Sequence, residues 1–386
     1  MKNMLIINAR IITDELILPP RSIVIQDGKI IANDSSQSYD EEYNAQGYYL
    51  APGYIDLHCH GSLGKRVDSG KADLDALCCS LPRYGVTGFL PTVTPCDNDA
   101  GLLKELSSVS RQGSEILGIF LEGHYLFLTG ALRTVTHEYS AERLQSLIEA
   151  AAPHKLVFGI SPEIPELEQL LPMMTKYGFP AFITHTKASA ADTARAIKLG
   201  ACHATHFYDV FHYPGDKEPG VRGCGAVEAI LAEPHVSVDF ILDGEHVEPV
   251  AVRMALACKG PGGVCLITDA NTNAGMPPGA YKGVGGDEIV MTYQGGPARM
   301  SENARKPNAL AGSGLTMDLA VRNAVHMLGL PLPQAVRMAS LNPAAVLGLQ
   351  HRKGHIKEGY DADLVLLDDD LRVCACFIAG QLAYEA

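Results

Sequence analysis

Short apolar runs alternate with helical patterns through the middle of the chain, and this alternation restricts the fold more than any other feature. The runs include EILGIFLEGH, KLVFGISPE, PAFITHT, ACHATHF, VSVDFILDGEH and GVCLITDA. The helical segments include SAERLQSLIEAAAPH, ELEQLLPMMTKYG, ADTARAIKLG, PVAVRMALACKG and TMDLAVRNAVHMLG. Apolar strands that alternate with amphipathic helices predict a parallel sheet covered on both faces. A middle region of about 300 residues favours a (β/α)8 TIM-like barrel over an open sheet.

Both ends of the chain are rich in short β-like runs separated by turns. The N-terminal runs are MLIINARIIT, SIVIQDGKIIAN and GYYLAPG, and the C-terminal region contains GHIKEGYDADLVLLDDD and RVCACFIAGQLAYEA. This pattern predicts one small β-sandwich domain built from both termini, residues 1–50 and 351–386, around a barrel of residues 51–350.

The composition excludes several classes of protein. Apolar residues make up 47% of the chain, which is too many for a disordered protein. The formal net charge is -13 and no run of Lys or Arg occurs, so nucleic acids and membranes are poor candidate partners. The N-terminus does not read as a signal peptide and no apolar stretch is long enough to cross a bilayer. Ten scattered cysteines, interpreted as reduced thiols, indicate the cytoplasm.

Residues suited to metal binding or proton transfer stand at or after the ends of the predicted strands. The first barrel strand ends in PGYIDLHCHG, and residues two apart in a strand point to the same side, so its two histidines converge. The whole set is His58, His60, Glu122, His185, His206, His246 and Asp269. An isolated HxH pair is equally consistent with structural histidines. Because barrel enzymes collect active-site residues from several strand ends, the set together predicts a metal site.

The ligand types indicate the chemistry of this site. Imidazole and carboxylate groups suit Zn²⁺ or Fe²⁺, so the predicted cofactor is one or two divalent ions per chain. Four of the histidines and Glu122 could hold two ions, with the carboxylate as a bridge. Two such ions polarise a carbonyl group and generate hydroxide at neutral pH. Asp269 could take a proton from water and pass it to a leaving amine, and its alternative role would be a helix N-cap.

Specific motifs add a resemblance that covers nearly the whole chain. They are APGYIDLHCHG, GIFLEG, ISPE, ITHT, GACHATHFYD, KEPGVRG, DGEHVEP, LITDA, LAGSGLTMDLAVRN, SLNPAAVLGL and GHIKEGYDADLV. With these motifs the chain resembles the amidohydrolase superfamily, and within it the N-acetylglucosamine-6-phosphate deacetylase family. The resemblance implies that Glu122, His185 and His206 are the principal metal ligands. It also implies that His58 and His60 hold a second ion.

The resemblance further implies roles around the metal ligands. Asp269 corresponds to the catalytic acid/base and is also counted among the metal-site residues. His246 corresponds to a residue that contacts the substrate near the scissile amide and phosphate. Lys217 occupies the position of an arginine that reaches the sugar phosphate across a dimer interface, which implies a homodimer.

Several positions depart from the family pattern, and all of them belong to the expected substrate contacts. His124 replaces a proline, Leu132 follows Ala131 where a histidine contacts sugar hydroxyls, and Asp209 replaces an asparagine. The expected substrate-binding residues are His246, Lys217, Asp209, Ala131 and His124. An ionised Asp209 would repel a phosphate, which predicts weaker use of a phosphorylated sugar than in typical family members. The alternative is that Asp209 turns away and pairs with Lys187 or Lys217.

The function implied by the resemblance is metal-dependent hydrolysis of a linear amide that removes acetyl from an N-acetylated amino sugar. One alternative is a related amidohydrolase for a non-phosphorylated or different N-acyl substrate. A cyclic-amide hydrolase is disfavoured, because such enzymes typically carry a carboxylated lysine at the position of Glu122. An alternative of another class is a non-catalytic metal- or sugar-binding protein on the same fold.

Overall fold

The computed structural model describes residues 3–32, 39–109, 112–133, 139–177 and 180–386. The chain begins with five strands of a terminal β-sheet. These are β1 Met4–Ile11, β2 Arg21–Gln26, β3 Lys29–Ile31, β4 Glu41–Asn44 and β5 Tyr49–Pro52. Strand β1 pairs antiparallel with β2 and parallel with both β4 and β5, so it connects two halves of the sheet.

The next strands build a barrel. They are β6 Tyr54–Cys59, β7 Gly61–Ser62, β8 Lys65–Arg66, β9 Val86–Val93, β10 Glu115–Ile116, β11 Ile119–Tyr125, β12 Leu156–Ile160, β13 Phe182–Ile183, β14 His203–Ala204, β15 Ser237–Ile241 and β16 Val264–Ile267. Eight of them run parallel in the order β6-β9-β11-β12-β13-β14-β15-β16. A parallel bridge from Cys59 to Ala270, just past β16, closes the ring. This confirms the predicted (β/α)8 barrel.

Helices cover the outside of the barrel. They are α1 Lys71–Ser80, α2 Asp99–Leu106, α3 Ala141–Ala151, α4 Leu167–Tyr177, α5 Ala190–Lys198, α6 Ala226–Ala232, α7 Pro249–Lys259, α8 Met317–Leu328, α9 Leu332–Ala339 and α10 Leu341–Val346. Serine side chains begin two of them, since Ser140 caps α3 and Ser189 caps α5 by accepting a backbone N–H. Every residue of β9 is buried, as expected for a strand packed on both faces.

A four-stranded antiparallel sheet is inserted between β16 and α8, and the sequence did not predict it. Its strands are β17 Gly279–Lys282, β18 Glu288–Met291, β19 Pro297–Met300 and β20 Leu310–Ser313. The backbone of Ser313 pairs with Asp269 and bridges to Ala270 at the end of the barrel. This insertion sheet therefore lies over the carboxyl ends of the barrel strands.

The chain returns to the terminal sheet with its last strands. They are β21 Leu364–Leu367, β22 Val373–Ile378 and β23 Gln381–Glu385. The order β23-β22-β21-β5-β1-β2-β3, with β4 on β1, encloses its own apolar core around Ile6, Ile25 and Phe377. A β-domain built from both termini is thus confirmed. We propose the domain limits 1–50, 51–350 and 351–386, with the first limit falling inside β5. In the part of the chain described above, no helix could cross a membrane.

Candidate active site

Six of the seven strand-end residues converge at the carboxyl end of the barrel. The set is His58, His60, Glu122, His185, His206 and Asp269, and all six are buried. They lie on β6 and β11, or within two residues after the ends of β6, β13, β14 and β16. The carboxyl ends of parallel barrel strands lie on one rim, which is why residues so distant in sequence meet.

One carboxylate lies between two pairs of imidazole rings. Glu122 Oε2 is 3.0 Å from His60 Nε2 and 3.5 Å from His58 Nε2. Glu122 Oε1 is 3.0 Å from His206 Nε2 and 3.2 Å from His185 Nε2. Glu122 forms one group with His58 and His60 and a second group with His185 and His206. Within each group the ligand atoms all lie within 4.8 Å of one another. The arrangement offers two adjacent cation sites that share Glu122, which we call the Glu122 cluster.

The rings of the cluster are oriented by contacts on their far side. His185 Nδ1 donates to the Leu128 carbonyl at 3.0 Å, which leaves the Nε2 lone pair directed at Glu122. His58 Nδ1 lies 3.2 Å from Thr205 Oγ1, while its Nε2 lies 3.2 Å from His60 Nε2. Two ring nitrogens that face each other and the same carboxylate form a favourable place for a cation.

A buried pair that sequence reasoning missed holds the backbone beside His206. The His206 amide donates to Asp239 Oδ1 at 2.5 Å, and Asp239 Oδ2 is 2.8 Å from His203 Nε2. Asp239 and His203 are both fully buried. The available signal was the single aspartate within the apolar run VSVDFIL, because a buried charge requires a partner.

Three cluster residues have a left-handed backbone. The φ angles are 49° at His185, 34° at His206 and 43° at Asp269. Such angles cost non-glycine residues of order 1–3 kcal/mol and persist where the surroundings enforce them. The chain therefore holds these three strand ends in strained turns that direct their side chains to one point.

The charged groups within the cluster shift one another's pKa values. Burial opposes ionisation of Glu122, but His58 charge and hydrogen bonds with His185 and His206 outweigh it and hold the Glu122 pKa well below its usual range. Burial likewise opposes protonation of His60 and His206, while Glu122 raises the pKa of both. The carboxylate thus attracts positive charge into this pocket.

The residues present fit a divalent metal ion. Imidazole nitrogens and carboxylate oxygens are ligands that Zn²⁺ and Fe²⁺ accept. Asp269 Oδ1 is buried, forms no hydrogen bond within the described chain, and lies 3.4 Å from His60 Nε2 and 3.5 Å from His58 Nε2. A buried carboxylate oxygen without a hydrogen bond beside this donor set is free to contact a bound cation or the water next to it.

A cavity of about 630 Å³ lies directly above the cluster. Cluster residues form its floor, and loop residues 130–133, residues 209–210 and the insertion sheet form its walls. Asp209 and Ala131 lie on the wall, as predicted for substrate contacts, and Leu132 lies beside them. The cavity is large enough for a monosaccharide and opens onto the ligand atoms.

His124 does not lie on the cavity wall, contrary to the substrate contact expected of it. Its side chain is fully buried, with Nε2 3.3 Å from Asp99 Oδ1. Gly123 has a φ of 110°, and the pairing of β11 with β12 shifts between Leu121 and Tyr125. This irregularity breaks the strand alternation, so His124 does not share the face of Glu122.

His246 and Lys217 also lie outside the cavity lining. The His246 side chain is buried, and its Nδ1 is 2.7 Å from Asp243 Oδ2. Burial lowers the His246 pKa, but the Asp243 hydrogen bond and charge outweigh it and raise the pKa overall. Lys217 is exposed on the loop before α6. Contacts of either residue with substrate stay predictions.

Asp209 faces the cavity without a cationic partner. Among the described residues no ion pair joins it to Lys187, Lys217 or any other cation, and it lines the wall. Its charge contributes to the raised pKa values of His206 and His246. The alternative in which Asp209 turns away to pair with a lysine is not the arrangement in this structure.

Comparison with known proteins gives a consistent result. The model of the amidohydrolase family matches residues 49–383. N-acetylgalactosamine-6-phosphate deacetylase of Escherichia coli O157:H7 is 33% identical over 384 residues, covering 97% of each chain. N-acetylglucosamine-6-phosphate deacetylase of Vibrio furnissii is 31% identical over 371 residues, covering 91% of this chain and 88% of the relative.

Solved structures of similar sequence share the fold over the full length. The N-acetylglucosamine-6-phosphate deacetylase of Pasteurella multocida has a TM-score of 0.86 and 25% identity, with 100% of both chains covered. A mutant of the Mycobacterium smegmatis enzyme, in complex with N-acetyl-D-glucosamine-6-phosphate, has a TM-score of 0.85 and 28% identity. That comparison covers 99% of this chain and 100% of the other.

Proposed function

This chain belongs to the amidohydrolase family, and on that premise we propose that it is a metal-dependent deacetylase of N-acetylated amino sugars. One observation carries the proposal: Glu122 lies between two imidazole pairs, with Asp269 beside them, at the floor of a sugar-sized cavity. The named relatives are deacetylases of N-acetylated amino sugar phosphates, which supports the same class of substrate.

Metal bound by the Glu122 cluster would polarise the amide carbonyl and make water a stronger nucleophile. Glu122, His185 and His206 would hold one ion, and His58 and His60 with Glu122 would hold a second. All of these ligands are buried at the floor of the cavity, so bulk water reaches them only through that cavity. This favours hydrolysis of a neutral amide that binds at the cluster.

Asp269 moves the proton in this proposal. Its carboxylate accepts a proton from the attacking water as the new C–O bond forms. It then donates that proton to the sugar nitrogen as the C–N bond breaks, releasing acetate and a free amine. Asp269 is suited to both steps because Oδ1 carries no hydrogen bond within the described chain.

The proposal also covers the identity of the metal, the oligomeric state, the location and the partner, each from a separate observation. The metal is zinc or iron, because the ligands are imidazole and carboxylate groups. A homodimer is proposed by analogy with the family, and the exposure of Lys217 is compatible with contact to a second copy. A cytoplasmic location is supported by ten cysteines that are all free thiols. The partner is a small amino sugar, with no nucleic acid or membrane partner.

Acetate release from a panel of N-acetyl sugars tests the proposal. The panel contains N-acetylglucosamine, N-acetylgalactosamine and their 6-phosphates, incubated with metal-replete protein. We expect at least one sugar to yield acetate and free amine in equal amounts. Protein that binds metal and sugar but releases no acetate would support the non-catalytic alternative instead. Release of another acyl group from a non-sugar amide would favour the related amidohydrolase.

A further inference from the structure

Some charged side chains on the cavity wall are already paired. Arg66 Nε lies 3.2 Å from Asp68 Oδ1, and Asp287 Oδ2 on the wall lies 2.8 Å from Arg305 Nε. Two wall cations, Arg133 and Lys282, have no carboxylate partner anywhere in the described ranges. These two side chains therefore remain available to a ligand.

Arg133 and Lys282 converge on one point although they belong to different elements. A Cβ placed on Gly286 would lie 3.7 Å from Lys282 Cε and 3.8 Å from Arg133 Nη1. Arg133 Nη1 also donates to the Gly285 carbonyl at 3.0 Å, which fixes the guanidinium over this turn. A guanidinium carries five N–H donors, so most of its donors stay unused.

A loop of the insertion sheet supports this arrangement. Residues 301–309 connect β19 to β20 and carry Arg305 and Lys306. Lys306 Nζ donates to the Gly130 carbonyl at 2.5 Å, and Arg305 donates to the Ala131 carbonyl. These contacts hold the loop that carries Arg133 over the cavity.

Arg305 has a second effect, which is electrostatic. Asp287 follows Gly286 directly, and its carboxylate would otherwise compete for Arg133 and Lys282. Its Oδ2 is instead 2.8 Å from Arg305 Nε, so Arg305 offsets its charge. Arg305 and Lys306 thus act as positioning residues, whereas Arg133 and Lys282 face the cavity.

We propose that Arg133 and Lys282 form an anion subsite that binds a phosphate, sulfate or carboxylate group of the sugar whose acetamide lies at the Glu122 cluster. The inference rests on the proposed function, because that function fixes where the amide lies. A guanidinium binds two oxyanion oxygens at once, and a lysine adds a point charge. Asp209 acts in the opposite sense, since its part of the wall repels an anion and accepts a hydroxyl or ammonium group.

Binding of the deacetylated sugar tests the subsite without relying on catalysis. The dissociation constants of glucosamine and glucosamine 6-phosphate are measured with the full chain and with Arg133→Gln, Lys282→Gln and the double variant. Glucosamine 6-sulfate and glucosaminuronic acid distinguish phosphate from the other anions. Lys198→Gln, on the exposed end of α5, is the control for the loss of one surface charge. Arg133→Lys tests the bidentate contact with the charge retained.

We expect the unaltered protein to bind one of the three anionic sugars at least about 10-fold tighter than glucosamine. Each single variant should reduce that advantage about 10-fold, and the double variant should remove most of it, while Lys198→Gln retains it. A double variant that keeps the full advantage, or a parent protein without any, would overturn the proposal. Variant-sensitive binding of the anion without acetate release would refute the proposed function and leave the subsite standing.

Discussion

At the scale of single residues, Glu122 determines how many ions the site can hold. Each of its oxygens faces a different imidazole pair, Oε2 towards His60 and Oε1 towards His206. A shorter aspartate at this position could not reach both pairs from the same strand. Binding of a second ion would therefore depend on one side chain in β11.

Asp269→Asn tests the proton transfer. Asparagine keeps the shape and tolerates the left-handed φ of 43°, but it cannot accept a proton. We expect turnover to fall by about 10²- to 10⁴-fold while the metal content stays unchanged. The measurements are the steady-state rate of acetate release and metal analysis of the purified variant. Turnover within a few-fold of the parent protein would exclude Asp269 as the acid/base.

Asp209→Asn tests the repulsion of anions at its part of the cavity wall. We expect the ratio of kcat/KM for N-acetylglucosamine 6-phosphate to that for N-acetylglucosamine to rise by about 10-fold or more. The reason is that Asp209 repels an anion held in the same cavity, by roughly 1 to 4 kcal/mol at about 4 Å and by less at longer distances. Measuring both sugars in parent and variant separates this effect from a general loss of activity. A ratio that stays the same or falls would show that Asp209 does not disfavour the phosphate.

The sequence located individual residues well where backbone geometry is regular. Residues at the carboxyl ends of parallel strands share one rim, and this rule found the whole Glu122 cluster. The substrate contact expected of His124 came from the family resemblance instead, and the irregular pairing around Gly123 leaves that side chain off the cavity wall. The rule missed the supporting roles of Thr205 and Asp239, which depend on contacts between strands distant in sequence.

At the scale of elements, the insertion sheet was the main feature that the sequence did not reveal. Its runs EIVM and PARM are short, and each is preceded by a glycine-rich segment that fits many hairpins. Its position over the barrel is decided by long-range contacts such as the pairing of Ser313 with Asp269. The proximity of Arg133 and Lys282 to the same glycine, Gly286, depends on this positioning and could not be found from sequence spacing.

A second element-scale feature joins the terminal sheet to the barrel through buried ion pairs. Lys353 Nζ lies 2.8 Å from Glu115 Oε2 in β10 and 3.3 Å from Asp361 Oδ2, and it also pairs with Asp363. Arg352 adds contacts to Glu115 and Asp361. The three carboxylates could also suggest a metal site, but these cations already satisfy them.

Lys353→Met tests the energetic role of this junction. The Lys353 side chain is only 3% exposed, so the substitution leaves partly buried carboxylates without their central cation. We expect the free energy of unfolding to fall by about 3–5 kcal/mol, measured by urea denaturation with two spectroscopic probes. Lys357→Met removes an exposed lysine from the same segment and should change little. Equal stability of the two variants would contradict the assigned role.

The charges at this junction also determine how the stability difference between the parent protein and Lys353→Met should change with pH. Burial opposes ionisation of Glu115 and Asp361, but Lys353 outweighs it at Glu115, and Lys29 together with Lys353 outweighs it at Asp361, so both pKa values are lowered. A lowered carboxyl pKa stabilises the fold above the unfolded value of about 4, and that contribution is lost as the pH falls through the folded value. The stability difference between parent and Lys353→Met should therefore shrink below about pH 4.

At the scale of the whole molecule, the alternation of apolar runs and helices was sufficient to predict the barrel. Strands buried on both faces and helices with one apolar face allow few other architectures in a chain of this length. The terminal domain was predicted because both ends repeat short β-like runs. Its strand order, and strand β4, could not be predicted, since pairing between the two ends depends on contacts across the entire chain.

Metal removal and reconstitution tests the central claim most directly. The full-length protein is treated with a chelator, dialysed and titrated with Zn²⁺ or Fe²⁺ while bound metal and acetate release are followed together. We predict that acetate release from the preferred N-acetyl sugar falls to background and returns in proportion to one or two bound ions per chain. His206→Ala, treated identically, should recover neither full metal content nor activity, because it lacks a ligand. Full acetate release from metal-free protein, or full metal content and turnover in His206→Ala, would contradict the account.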